Sequence, residues 1–190
     1  MTRVVVMAVP KRSANVAKIL KMVPHAEVVW DQNNGKLPVA VSAWQNFIKL
    51  LERVGDDPYI HLEDDCILTS NFLEKAEAEI AKQPDQVLQF FSRRKDDIRL
   101  GSRWTSRFSC LVCFYCPPGA AAGILQIAKA AELKDYALQG MDFDKCVDDW
   151  LRQQKRRYWT VTPNLADHQE FRSAIDSRRP RARHSLTFKP

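Results

Sequence analysis

Three adjacent carboxylates, Glu63, Asp64 and Asp65, follow the short apolar run Tyr59-Ile60-His61-Leu62. The run reads as a buried strand, so the carboxylates sit at a strand end and need a positive neighbour to offset the cost of their burial. A divalent cation suits that need, and a cation carried by a diphosphate suits it better, because it brings most of its own oxygen ligands. The bland alternative is a solvated acidic loop. A second acidic grouping, Asp148-Asp149-Trp150, lies in a helical stretch, where it could act on a substrate or pair with Arg152 on the surface.

The remaining chemistry-bearing residues are more easily placed in the core. Cys110, Cys113 and Cys116 have the spacing of metal ligands, but they lie in an apolar stretch that reads as a strand, with no evident fourth ligand, so core packing is the better reading. Five cysteines are an odd number, and no disulfide framework is expected. His61 reads as packing and Trp44 as core.

The elements that must position the acids are legible from periodicity. Strands are expected over 3–9, 26–30, 59–63, 86–91, 110–115 and 158–162. Helices are expected over 13–22, 39–54, from Asn71 to near Pro84, 120–131 and 142–154. Asn71 and Glu74 have the spacing of a capping box. Residues 92–107 are polar and basic without a clear period, and an irregular basic tail follows Pro163. Alternating strands and helices predict one α/β domain, with a mostly parallel central sheet flanked by helices and ligands beyond the carboxyl ends of its strands.

Net charge is +6 with 29 basic and 23 acidic residues, and the clusters at 93–95, 152–157 and 178–183 carry much of the excess. Such clusters suit phosphate-rich partners: nucleotides, nucleic acid or anionic lipid headgroups. No apolar run is long enough to span a bilayer, and the short apolar start does not look like a signal peptide, so residence in a cytoplasm is expected, that of a host cell if the gene belongs to a phage.

The layout of a first strand, a turn holding Asp31 and a third strand ending in Leu62-Glu63-Asp64-Asp65 resembles the GT-A nucleotide-sugar glycosyltransferases, above all the small lipooligosaccharide-type and phage-type members. The acidic triplet is similar to the D-x-D motif of that family, with a glutamate in the first place. The resemblance implies Asp65 as the main ligand of Mn2+ or Mg2+, with Glu63 or Asp64 near the ribose or a metal-bound water. Pro163-Asn164-Leu165-Ala166-Asp167-His168 looks like the segment that places a histidine on the metal, implying His168 as the second ligand. By the same resemblance, Pro10, Arg12 and Asp31 lie where the base and ribose bind, though Asp31 also reads as a plain turn former. Arg181 and Arg183 would meet the diphosphate. Asp149, and after it Asp148, would serve as the base acting on the acceptor hydroxyl.

By this resemblance the whole of 1–190 is one transferase domain, with 164–190 folding over the donor, a UDP-sugar by family habit, and a hydroxyl as acceptor. Two other classes compete. A nucleic-acid-binding module would explain the arginines, and a hydroxymethylated base in phage DNA as acceptor would unite that reading with the first. A nucleotidyltransferase is disfavoured because Pro10-Lys11-Arg12-Ser13 lacks a glycine-rich loop.

Overall fold

The computed structural model describes residues 2–132, 134, 143–169 and 184–190. Its centre is a seven-stranded sheet. The strands, with β4 and β9 set apart, are β1 Arg3–Ala8, β2 Glu27–Trp30, β3 Tyr59–Glu63, β5 Leu88–Gln89, β6 Arg103–Thr105, β7 Cys113–Cys116 and β8 Tyr158–Thr160, in the spatial order β2-β1-β3-β7-β5-β8-β6. Five of the seven strands run in one direction, and β7 and β6 run against them. The expected α/β sandwich with a mostly parallel sheet is therefore present. A separate two-stranded sheet pairs β4 (Cys66–Leu68) with β9 (Ala166–His168).

Side-chain alternation explains why the strands are apolar throughout. Along β1, Val4, Val6 and Ala8 enter one core layer and Val5 and Met7 the other. β7 divides in the same way, with Cys113 and Tyr115 on one side and Phe114 and Cys116 on the other. A strand covered on both faces has no solvated side to make polar. Helices α1 (Ser13–Met22) and α3 (Phe72–Lys82) cover the first face, while α2 (Val39–Val54), α5 (Ala120–Glu132) and α6 (Asp144–Gln153) cover the second. Gly123 lets α5 and α6 approach closely, since a Cβ there would collide with the Trp150 indole.

Several expectations need correction. The stretch 92–107 is not one irregular loop: it holds α4 (Asp96–Leu100) and the edge strand β6. These elements are too short to show a period, and an edge strand needs an apolar residue only on its inner face. The supposed irregular tail contains β9, and the capping box does not form. Asn71 takes a left-handed conformation (φ 54°) with no side-chain cap, and its carbonyl accepts from Lys75 N at 3.1 Å. The three spaced cysteines pack as expected, with Cys113 and Cys116 in the core and Cys110 half-buried. Among the described residues no helix is long and apolar enough to cross a membrane.

Candidate functional site

The chain leaves β1 through α1 on one face to reach β2, then crosses by α2 on the other face to reach β3 on the opposite side of β1. Such a reversal marks the usual ligand position in open α/β sheets, a crevice beyond the carboxyl ends of β1 and β3. Met7 of β1 is in register with Glu63 of β3, so the residues that follow each strand face one another. They are a 3-10 turn, Pro10–Arg12, on one side and Asp64-Asp65 on the other.

Asp64 is held in place by four bonds. Its backbone N–H donates to Met7 O at 3.1 Å, prolonging the ladder. Oδ2 accepts from Val9 N at 2.7 Å, Oδ1 pairs with Arg12 Nη1 at 2.6 Å, and its carbonyl accepts from Asn15 Nδ2 at 2.5 Å. The same Arg12 nitrogen lies 2.8 Å from Asp65 Oδ2. Arg12 is thus one positive neighbour that the acidic triplet requires. Burial works against its charge, but Asp65 and Asp64 outweigh burial and hold its pKa above the ordinary value. Burial also pushes the Asp64 carboxyl upward, and the pull of Arg12 and the Val9 N–H does not fully offset it.

His168 arrives from the far end of the sequence. Pairing of β4 with β9 sets Cys66 opposite His168, and Gln169 N donates to Asp65 O at 2.8 Å. His168 Nε2 stands 3.2 Å from Asp65 Oδ2, and both side chains are buried. Asp167, the residue before it, points the other way: its carboxylate meets His184 Nδ1 at 2.9 Å and accepts from Ser185 N at 2.7 Å. Ser185 Oγ donates to Asn164 Oδ1 at 2.6 Å, which fastens residues 184–190 along β9.

A separation of 3.2 Å matches two neighbouring donors at right angles around one cation with bonds of roughly 2.0–2.3 Å. Among the described residues no group of three or more His, Cys, Asp or Glu side chains converges on a metal position. Asp65 and His168 could hold a cation only together with ligands from outside these residues, and Arg12 competes for the same Asp65 oxygen.

A second feature lies within electrostatic reach of Glu63. A cavity of about 290 Å³ is lined by Ser92, Arg93, Arg94, Ser109 and Cys110. Burial raises the Cys110 thiol pKa, opposed by Arg93 and reinforced by Asp144 and Glu63. The acids of α6 stand behind this wall. Asp144 Oδ2 accepts from Cys110 N at 3.1 Å and Asp148 Oδ1 accepts from Phe108 N at 2.9 Å, one turn apart on the helix. Asp148 Oδ2 also pairs with Arg152 Nε at 2.9 Å, and Asp149 pairs with Lys145 Nζ at 2.8 Å on a more exposed face.

The crevice thus brings together Arg12, Asp64, Asp65 and His168, with Glu63 at its rim and Pro10 exposed on the turn. Asp31 lies one strand over, at the end of β2, where its N–H donates to Ala8 O at 2.8 Å, while Ser42 Oγ at 2.6 Å and Asn33 N at 2.9 Å donate to its carboxylate and tie the turn to α2. Asp148 and Asp149 lie on α6 beside the 108–110 segment. Arg181 and Arg183 fall outside the described residues. Sequence reasoning missed Asn15, Asn164, Asp167, His184 and Asp144. Of these only Asn15 carries a local signal, a polar residue beside Val16 on the apolar face of α1.

No family model matches the sequence, and no curated protein matches it. Solved structures do match in shape. A197 from STIV superposes with a TM-score of 0.50 at 15% identity, covering 100% of this chain and 96% of its own. A putative glucose-1-phosphate thymidylyltransferase from Bacillus anthracis, in complex with a sucrose, gives 0.49 at 10% identity over 88% of this chain and 89% of its own. The likeness to A197 shows a shared fold and says nothing of activity. The second, at its TM-score, carries no argument.

Proposed function

We propose that the chain is a metal-dependent glycosyltransferase that moves a sugar from a nucleoside-diphosphate sugar, with UDP-sugars the first donors to try, to a hydroxyl acceptor. The supporting observation is the meeting of Asp65 and His168 at 3.2 Å beside Arg12, in the crevice between β1 and β3. Two protein donors and one guanidinium suit a ligand that carries a cation on its own phosphates.

In this reading Asp65 and His168 would hold Mn2+ or Mg2+, which when bound would supply charge to stabilise a departing diphosphate. Arg12 pairs with both aspartates and orients them, and Asp64 locks the turn after β1 onto the end of β3 so that the nucleotide side of the crevice is fixed. Pro10 and Asp31 line that side. The acceptor enters by the cavity beside Glu63, and an acid of α6 takes the proton of its hydroxyl. Asp149 is one candidate. Asp144 is the other, because it touches a residue of the cavity wall.

Thermal shift against UDP- and GDP-sugars, with and without manganese, tests the reading. A metal-dependent rise in Tm with one donor is expected, since a ligand that binds only the folded state stabilises it. Asp65→Ala should abolish that rise and sugar transfer while leaving the circular dichroism spectrum unchanged. Transfer by Asp65→Ala at the wild-type rate would sink the idea. Asp144→Asn and Asp149→Asn, compared for kcat at saturating donor, identify the base: its loss should cost about 10²–10⁴-fold.

A further inference from the structure

The sheet ends at β6, an edge strand joined to the short helix α4. Three large apolar side chains project there into solvent: Ile98 is 65% exposed, Leu100 49% and Trp104 38%. Their exposure is built in. The carboxylate of Asp97, buried beneath α4, pairs with Arg103 Nη1 at 2.7 Å and clamps the helix to the strand, leaving Ile98 and Leu100 outside. Trp104 is in register with Trp159 of β8, and the Arg157 guanidinium stands 5.8 Å from the Trp104 ring centroid.

The charge of this edge differs from that of the rest of the protein. Residues 93–107 and 152–157, brought side by side by the β6–β8 pairing, hold ten basic and two acidic residues, a net +8 against +6 for the whole chain. All other residues together are therefore slightly acidic. Of the acids that face these basic residues, Asp97 is committed to Arg103, Asp96 lies 3.8 Å from Arg99, and Asp148 of α6 pairs with Arg152 at 2.9 Å.

We propose that this edge is a peripheral docking surface for membranes bearing anionic headgroups. A basic rim attracts such a surface over about a Debye length, and an exposed tryptophan with exposed aliphatic side chains on the adjoining helix suits the headgroup–acyl boundary. Protruding isoleucine and leucine distinguish this from a nucleic-acid surface, where basic residues and stacking aromatics carry the contacts and aliphatic tips gain nothing in the phosphate layer. The inference does not need the reaction assigned to the crevice, although Arg93 and Arg94 of this basic set also line the cavity beside Cys110.

Flotation of the full chain with vesicles tests it. Binding is expected to vesicles of phosphatidylcholine mixed with phosphatidylglycerol, not to phosphatidylcholine alone, and should weaken as salt is raised. Lys95→Gln, Arg99→Gln and Arg157→Gln together should lower the partition coefficient about a hundredfold, at roughly fivefold per charge. Ile98→Ser with Leu100→Ser should also lower it, with the circular dichroism spectrum unchanged because both side chains are exposed. Lys18→Gln with Lys21→Gln, on the exposed side of α1, should leave it unaltered. Absence of binding to the anionic vesicles, equal binding to neutral ones, or indifference to the Ile98 and Leu100 changes would overturn the proposal. So would binding to duplex DNA alone, which would reassign the edge to nucleic acid.

Discussion

Arg12 is the residue on which the acidic strand end depends, because one guanidinium nitrogen serves both Asp64 and Asp65. Removing one partner of a buried ionic group leaves the others uncompensated, which costs more than the pair itself contributes. Arg12→Gln is therefore expected to destabilise the protein by about 2–4 kcal/mol in chemical denaturation, and the proposed cation should restore part of the loss. His61 presents the opposite case. It is fully buried against Phe114, at 5.0 Å between ring centroids, and neither ring nitrogen has a hydrogen-bond partner among the described residues. Burial lowers its pKa from 6.5 to about 3, so it is neutral in the fold. Since the unfolded chain binds the proton more readily, stability is full above pH 6.5 and falls as pH drops from 6.5 toward 3. The limiting loss is of order 5 kcal/mol. His61→Leu should flatten that part of the profile, with stability at pH 7 unchanged or higher. A urea titration series from pH 7 to 4 would show no difference in slope if the account is wrong.

At the scale of elements, the close approach of α5 to α6 matters because α6 carries the acids behind the cavity. Gly123 permits that approach, and Gly123→Ala would force the helices apart or displace the Trp150 indole. Overpacking of this kind costs typically about 1–3 kcal/mol, readable as a lower denaturation midpoint with an unchanged m-value. Because Asp144 and Asp148 tether the backbone at Cys110 and Phe108, the same change should shift the cavity wall and lower activity more than it lowers stability. The turn after β2 has a milder dependence. Asp31→Ala removes the acceptor for Ser42 Oγ and Asn33 N, with an expected cost of about 1–3 kcal/mol from the donors left behind.

The whole molecule combines an acidic crevice at the carboxyl ends of β1 and β3 with a basic, apolar-tipped edge at β6, and the two are separate features of one sheet. Lowering the ionic strength should strengthen attachment through the edge while leaving the stability contribution of the buried Arg12–Asp64–Asp65 cluster nearly constant, because buried pairs are screened far less than exposed ones. Salt titrations of vesicle binding and of unfolding midpoint, run side by side, would separate them. Much of this was legible in the chain. The helices 13–22 and 39–54 came out with their bounds intact because a 3.6-residue apolar period is set locally, and the acidic triplet was placed at a strand end by the apolar run before it. Periodicity could not show that β9 exists, since a three-residue strand has no period and is fixed only by its partner β4. Nor could it show that Asp167 turns away toward His184 while His168 turns toward Asp65, or that Arg12 neutralises the carboxylates. Local sequence determined which residues were acidic, apolar or helical. The crossing of the chain from one side of β1 to the other decided which of them meet, because contacts between distant residues are settled by sheet order and register, to which no nearby residue testifies.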